Sequence, residues 1–245
     1  MSRAEPRVVV VTGATRGIGA AIADEFWRQG ARVVRTGTHD EEIGRLNASA
    51  PDRSEYVHAN FADPASLSRF TTYVEGLPRL DVCVNNAGIN IIKPINAVSA
   101  ADFDLTTAIN YRAPYLVSQS AARVMRRARR GWIINIASIW SIITKPGRSS
   151  YVAAKSGLAG MTRGLATDLA PSGILVNCVS PGFVLTDLTR ASLTDEEMSA
   201  LAKQVPLGRF AEPAEIARLV AFLGSESNTY VTGQNIVADG GFTNV

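Results

Sequence analysis

The chain has 245 residues, 46% of them hydrophobic and 19% charged. That apolar share is enough for a large buried core, and the length allows one or two domains. Its 25 basic and 22 acidic residues leave a net charge of +3, too mild a field to favour nucleic acid or a membrane surface as partner.

Strand and helix signals alternate along the chain. Arg7-Val-Val-Val-Val11 is a short β-branched run, as a buried parallel strand requires. Helix-like sequence over 16–29 stops at Gly30. Arg32-Val-Val-Arg-Thr36 is a second strand and leads into polar Thr38-His-Asp-Glu-Glu42; a third strand is expected at 55–59. Asp63 and Pro64 suit the N-cap and first position of the next helix. Leu80-Asp-Val-Cys-Val84 is a fourth strand, and one long helix is expected over 101–128, kinked at Pro114. A fifth strand follows at 132–137, a helix at 150–169, a sixth strand at 174–179, a helix at 213–223 and a last strand at 235–238. The irregular stretch 181–204 follows a strand, at the edge where such sheets bind ligands.

This alternation predicts an α/β fold: a single doubly wound, Rossmann-like domain over 1–245, with a mostly parallel seven-stranded sheet and a substrate lid at about 182–205. No run has the pattern of a secretory leader or the length of a membrane span. Cys83 and Cys178 lie in apolar runs and read as buried free thiols, and no Cys/His cluster has metal-ligand spacing. A reducing cytoplasm and a metal-independent chemistry fit these features.

Thr12-Gly-Ala-Thr-Arg-Gly-Ile-Gly19 follows the first strand and opens the first helix. Glycines there permit a tight turn and close approach to a pyrophosphate, and the helix start adds free N–H groups. Gly13, Thr15, Arg16, Gly17, Ile18 and Gly19 are therefore candidate cofactor ligands. The spacing, Gly-x-x-x-Gly-x-Gly, also serves ordinary turns, so it gains weight from its position. No acid ends the second strand before Asp40. A carboxylate there would bind a ribose 2′-hydroxyl and repel a 2′-phosphate. Its absence, with Arg16, Thr38 and His39 nearby, favours NADP(H), NAD(H) being the alternative.

Tyr151 and Lys155 are four residues apart on one helix and share a face. An ammonium near a phenol lowers its pKa from about 10. Ser138, after the fifth strand, stands at the sheet's carboxyl edge, in reach of a substrate oxygen. A hydride carrier beside a tyrosine acid/base is a carbonyl reductase or alcohol dehydrogenase. Asn85-Asn-Ala-Gly88 ends the fourth strand with small residues that admit a ribose and amides that can stiffen the strand end, an ordinary polar turn being the alternative. Asn110, amid apolar helix neighbours, is placed to hold a relay water behind Lys155.

These motifs together resemble the short-chain dehydrogenase/reductase family over 8–241. They include Tyr151-Val-Ala-Ala-Lys155, Pro181-Gly182 followed by Thr186, Val231-Thr-Gly-Gln234 and Asp239-Gly-Gly241. The resemblance implies Tyr151 as general acid/base, Ser138 positioning the substrate oxygen, Lys155 on the nicotinamide ribose and Asn110 anchoring the relay water. It implies Asn86, Ala87 and Gly88 along the cofactor and Asn60 and Phe61 around the adenine. Pro181, Gly182, Val184 and Thr186 would lie by the nicotinamide. It also implies a homotetramer, with small residues such as Ala108, Ala113, Ala121, Ala153, Ala154, Ala159 and Gly160 letting helices approach.

Within the family the nearest look is to 3-oxoacyl-acyl-carrier-protein reductases. Arg123, Arg126, Arg127, Arg129 and Arg130 form either a patch for an acidic acyl carrier protein or a solvated cationic helix end. Gly131 and Gly173, where such reductases tend to be basic, depart from that pattern. The expected substrate is a small carbonyl or alcohol, and a sugar or polyol dehydrogenase is the alternative. A non-catalytic dinucleotide sensor is a distant one, because no member of the catalytic set is missing. Segments 89–95, 140–148 and 183–205 are expected to shape the substrate pocket, with Ile139, Trp140, Ile142 and Ile143 as an apolar wall.

Overall fold

A computed structural model describes residues 5–245. Seven strands form one sheet in the order β3-β2-β1-β4-β5-β6-β7: β1 Val8–Val11, β2 Arg32–Gly37, β3 Ser54–His58, β4 Val82–Asn85, β5 Gly131–Ile136, β6 Ile174–Pro181 and β7 Asn235–Ala238. All six pairings are parallel. The strand order reverses between β1 and β4, which opens a crevice at the carboxyl ends of those two strands.

The valine run of β1 shows why the sheet is covered twice. Successive side chains point to opposite faces. Val8 and Val10 join Phe70, Val117 and Met125 on one side, and Val9 and Val11 join Ile22, Phe26 and Ile216 on the other. The first layer is built by α3 (Pro64–Glu75), α5 (Ala113–Ala128) and α6 (Ser149–Leu169); the second by α1 (Gly17–Arg28) and α9 (Pro213–Leu223). The remaining helices are α2 (Asp40–Ala48), α4 (Ala100–Thr107), α7 (Asp187–Ser192) and α8 (Asp195–Ala202). No helix among the described residues is long and apolar enough to cross a membrane.

Three local readings change. The polar segment after β2 is helix α2, whose first-turn Asp40, Glu41 and Glu42 complement the helix dipole although His39 gives no side-chain cap. The long helix expected over 101–128 is two helices joined by a π turn, Ala108–Arg112; the break precedes Pro114, which sits in the first turn of α5. The segment expected to be irregular holds α7, capped by Thr186, and α8, closed by a Thr194–Glu197 capping box.

Candidate active site

Two glycines of the first loop are required by close approach. Gly13 has φ +62, and a Cβ there would lie 2.8 Å from the Ala87 Cα; at Gly19 it would lie 2.2 Å from the Gly13 carbonyl oxygen. Thr12 stitches this loop to the end of β4. Its hydroxyl accepts the N–H groups of Asn86 (3.0 Å) and Ala87 (3.1 Å), while Asn86 Nδ2 donates to the carbonyls of Thr12 (3.0 Å) and Gly13 (2.9 Å). The Gly13 N–H donates to Thr36 Oγ1 at 2.9 Å.

Helix α1 starts without a side-chain cap, whereas α3 is capped by Asp63, α4 by Ser99 and α7 by Thr186. Gly17, Ile18 and Gly19 instead line a cleft of about 470 Å³. Uncapped first-turn N–H groups with a positive dipole end are an anion site. The cleft runs past Thr36, Gly37 and Thr38 at the end of β2, past Asn60 and Phe61 after β3, and past Asn86, Ala87 and Gly88 after β4. It ends at Ser138, Tyr151, Lys155, Pro181, Gly182 and Thr186. These residues fit a dinucleotide: a glycine cradle that any Cβ would fill, an anion-ready helix start and a long groove.

Tyr151 and Lys155 lie on the first turns of α6. Lys155 is 3% exposed and donates from Nζ to the Ile136 carbonyl at 2.8 Å. Its Nζ stands 5.7 Å from the centre of the Tyr151 ring. Burial pulls the ammonium pKa down to about 8 and pushes the Tyr151 phenol up to about 12, opposed by the Ser138 hydroxyl and the Arg148 charge. Asn110 is fully buried in the π turn. Its Nδ2 donates to the carbonyls of Ile89 and Thr106, both at 2.9 Å, and its Oδ1 accepts the Ile89 N–H at 3.2 Å. A Cβ on Gly88 would meet Asn110 Oδ1 at 2.8 Å and Lys155 Nζ at 3.4 Å, so glycine lets these two groups converge behind the cleft.

Over residues 13–243 the chain matches the family model described as enoyl-(acyl carrier protein) reductase. The chain belongs to the short-chain dehydrogenase/reductase family. It is 36% identical to the 3-oxoacyl-[acyl-carrier-protein] reductase FabG of Rickettsia bellii, over 96% of each chain. Among solved structures it resembles a gluconate 5-dehydrogenase from Burkholderia cenocepacia in complex with NADP and tartrate. That match has a TM-score of 0.91 and 30% identity, and covers 99% of this chain and 97% of that one. A short chain dehydrogenase/reductase family protein matches with a TM-score of 0.89 and 33% identity, over 98% of both chains. This short-chain dehydrogenase/reductase is an oxidoreductase of CH–OH and keto groups that uses a nicotinamide cofactor.

The structure gathers all but three of the expected site residues along the cleft. Asn110 stands behind it, as described. Exposed His39 lies outside the lining, because α2 begins immediately after it. The Val184 side chain is buried in the core, where its backbone pairs with Ala211. Some supporting contacts go beyond the sequence reading, which gives Asn85 only a stiffening role at the end of the fourth strand. Thr12 sits at the end of a valine strand and gives no sign of its role. Asn85 donates to Ser118 Oγ (2.9 Å) and Asn135 Oδ1 (2.8 Å), and Asn135 donates to Thr162 Oγ1 (2.9 Å). This buried chain ties β4 and β5 to α5 and α6, holding the helix of Tyr151 and Lys155 against the strands whose ends line the cleft.

Proposed function

We propose that this chain is an NADP(H)-dependent ketone reductase that also oxidises the matching secondary alcohols, with Tyr151 as general acid/base. The observation that carries this reading is one cleft with an uncapped, glycine-built helix start at one end and Tyr151, Ser138 and Lys155 at the other. When bound, the nicotinamide supplies or takes up the hydride. Burial keeps the Tyr151 phenol protonated at neutral pH, so it is ready to give its proton to a carbonyl oxygen as charge develops there. Ser138 holds that oxygen. Lys155 binds the ribose, and its charge stabilises the phenolate left after transfer. Asn110 supports the proton path that recharges the tyrosine. General acid catalysis of this kind is worth roughly 10²–10⁴-fold.

The preference for the 2′-phosphate form rests on Arg16 and Thr38. Both line the cleft and both are exposed, Arg16 makes no ion pair among the described residues, and no carboxylate ends β2. A guanidinium matches phosphate geometry. Residues 182–205, which carry α7 and α8, are the lid over the substrate. Two buried thiols, each held neutral by burial, suit a reducing cytoplasm. A homotetramer is supported by exposed Phe103 on α4, Tyr111 in the π turn and Tyr115 on α5, and by exposed Phe222 on α9 and Tyr230 before β7.

For the substrate, 3-oxoacyl thioesters and sugar-type alcohols are both represented among the relatives. A docking patch for an acyl carrier is weakened by the arginines' own contacts. Arg123 pairs with Glu75 at 2.5 Å, Arg129 donates to the Pro171 carbonyl at 2.9 Å, and Arg130 pairs with Glu226. A panel of ketones, acyl thioesters and sugar alcohols, assayed with NADPH and NADH in wild type and Arg16→Ala, tests the proposal. Wild type should prefer NADPH, and Arg16→Ala should lower the NADPH/NADH ratio of kcat/KM by about tenfold or more, the worth of one charge-assisted hydrogen bond. A preference for NADH, or a ratio that Arg16→Ala leaves unchanged, overturns the cofactor assignment. No turnover with any substrate points to a dinucleotide sensor instead.

A further inference from the structure

Beside the catalytic end of the cleft, outside its lining residues, stand two cations that the chemistry above does not use. Trp140 follows Ser138 by two residues, donates its N–H to the Ser138 hydroxyl at 3.3 Å and is 8% exposed. The Arg148 guanidinium stands 4.8 Å from the centre of its ring and the Lys145 Nζ 5.6 Å from it. Neither cation has an ion-pair partner among the described residues. Arg148 Nε is buried and has no hydrogen-bond partner.

The aromatic face attracts each cation, but two like charges sharing one ring repel one another. Burial lowers the pKa of both, and for Lys145 the Arg148 charge adds to that effect. A buried donor left without an acceptor costs free energy that a bound acceptor would return. Arg148 also precedes Tyr151 by three residues, as the N-cap residue of α6. Its charge is felt at the phenol. An anion bridging Lys145 and Arg148 would therefore lie within a few bonds of a carbonyl carbon held by Ser138 and Tyr151. Asp187, the one carboxylate among the lining residues of the cleft, belongs to α7 on the lid. It supplies no ion pair to either cation.

We propose that Lys145 and Arg148, set around Trp140, form an anion subsite that selects small oxo acids and hydroxy acids over neutral ketones and alcohols. Resting on the reductase reading, it narrows the substrate class of the same site. The guanidinium fork takes the carboxylate through two parallel hydrogen bonds, the ammonium adds charge, and the indole keeps both cations in place. Arg148 is here a specificity-determining residue, distinct from the proton-transfer set.

The test compares 3-oxobutanoate with its methyl ester, which keeps the ketone and removes the charge, each at saturating NADPH. Wild type should show the higher kcat/KM for the acid. Arg148→Gln should lower the acid/ester ratio of kcat/KM about 10–100-fold, the worth of a charge-assisted pair, chiefly through KM of the acid. Arg148→Lys should recover only part of that ratio, because it restores charge without the fork. Lys145→Gln, at an exposed position, should lower the ratio by less and is a second variant should Arg148→Gln not fold. If wild type favours the ester, or if Arg148→Gln and Lys145→Gln both reduce acid and ester equally, the subsite is refuted while the reductase reading stands. A wild type inert towards every carbonyl removes both.

Discussion

Lys155 holds its charge against its surroundings. Its pKa is pulled from the ordinary 10.5 to about 8 by burial. Below pH 8 the folded chain bears the full penalty of a buried ammonium. As pH rises from 8 towards 10.5 the folded chain sheds the proton first, and the penalty fades. Relative to Lys155→Met, which does not titrate there, the cofactor-free wild type should therefore gain roughly 2–3 kcal/mol of stability between pH 7 and pH 10. Urea unfolding of both proteins across that range checks it, and parallel profiles would contradict it. Spacing alone places Tyr151 and Lys155 on one face, so this pair is legible in the sequence. Lys145 and Arg148 are legible only as members of the segment 140–148 expected to shape the pocket: a Pro- and Gly-containing loop has no period from which to read a contact, and only the fold sets both around Trp140.

Helix α1 begins where a ligand, and no side chain of its own, can satisfy its first N–H groups. Gly19 faces this point with a Cβ position already occupied by the Gly13 carbonyl and by Asn86 Nδ2, at 2.4 Å. Gly19→Ala should displace the loop and weaken NADPH binding at least tenfold, since a cradle shifted by an ångström loses several charge-assisted hydrogen bonds together. It should leave the far end of the cleft assembled. Titration of protein fluorescence with NADPH measures this, and an unchanged Kd would show that the loop does not hold the phosphates. The start of α3 is legible from Asp63-Pro64, and α9 is expected over the residues it occupies, 213–223. The π turn at Ala108–Arg112 is not, because nothing in Ala-Ile-Asn-Tyr-Arg separates it from helix; its effect is to turn Asn110 towards Gly88 and Ile89. The Thr194-Asp-Glu-Glu197 capping box does announce α8, yet it is masked by the irregular composition around it.

For the whole molecule, the parallel sense of the sheet and its doubly wound form follow from strand–helix alternation and right-handed crossovers, which is why the fold class can be read from the chain. The assembly is less legible. Of the small residues expected to pack between subunits, Ala113, Ala121, Ala154 and Ala159 are buried within the chain itself. The surface offers Phe103, Tyr111 and Tyr115 instead, together with Phe222 and Tyr230. Pairing of each set with its copy across a two-fold axis would build the proposed tetramer; sedimentation at micromolar concentration should give four times the 26.1 kDa chain mass, and a monomer would contradict it. In the proposed function the cleft divides into a half that binds the dinucleotide, on β1 and α1, and a half that transfers the proton, on β5 and α6. Tyr151→Phe separates them most directly, because it removes one hydroxyl and keeps the ring. The variant should bind NADPH with wild-type affinity while carbonyl reduction falls by roughly 10²–10⁴-fold. Turnover near the wild-type rate would show that the proton comes from another group.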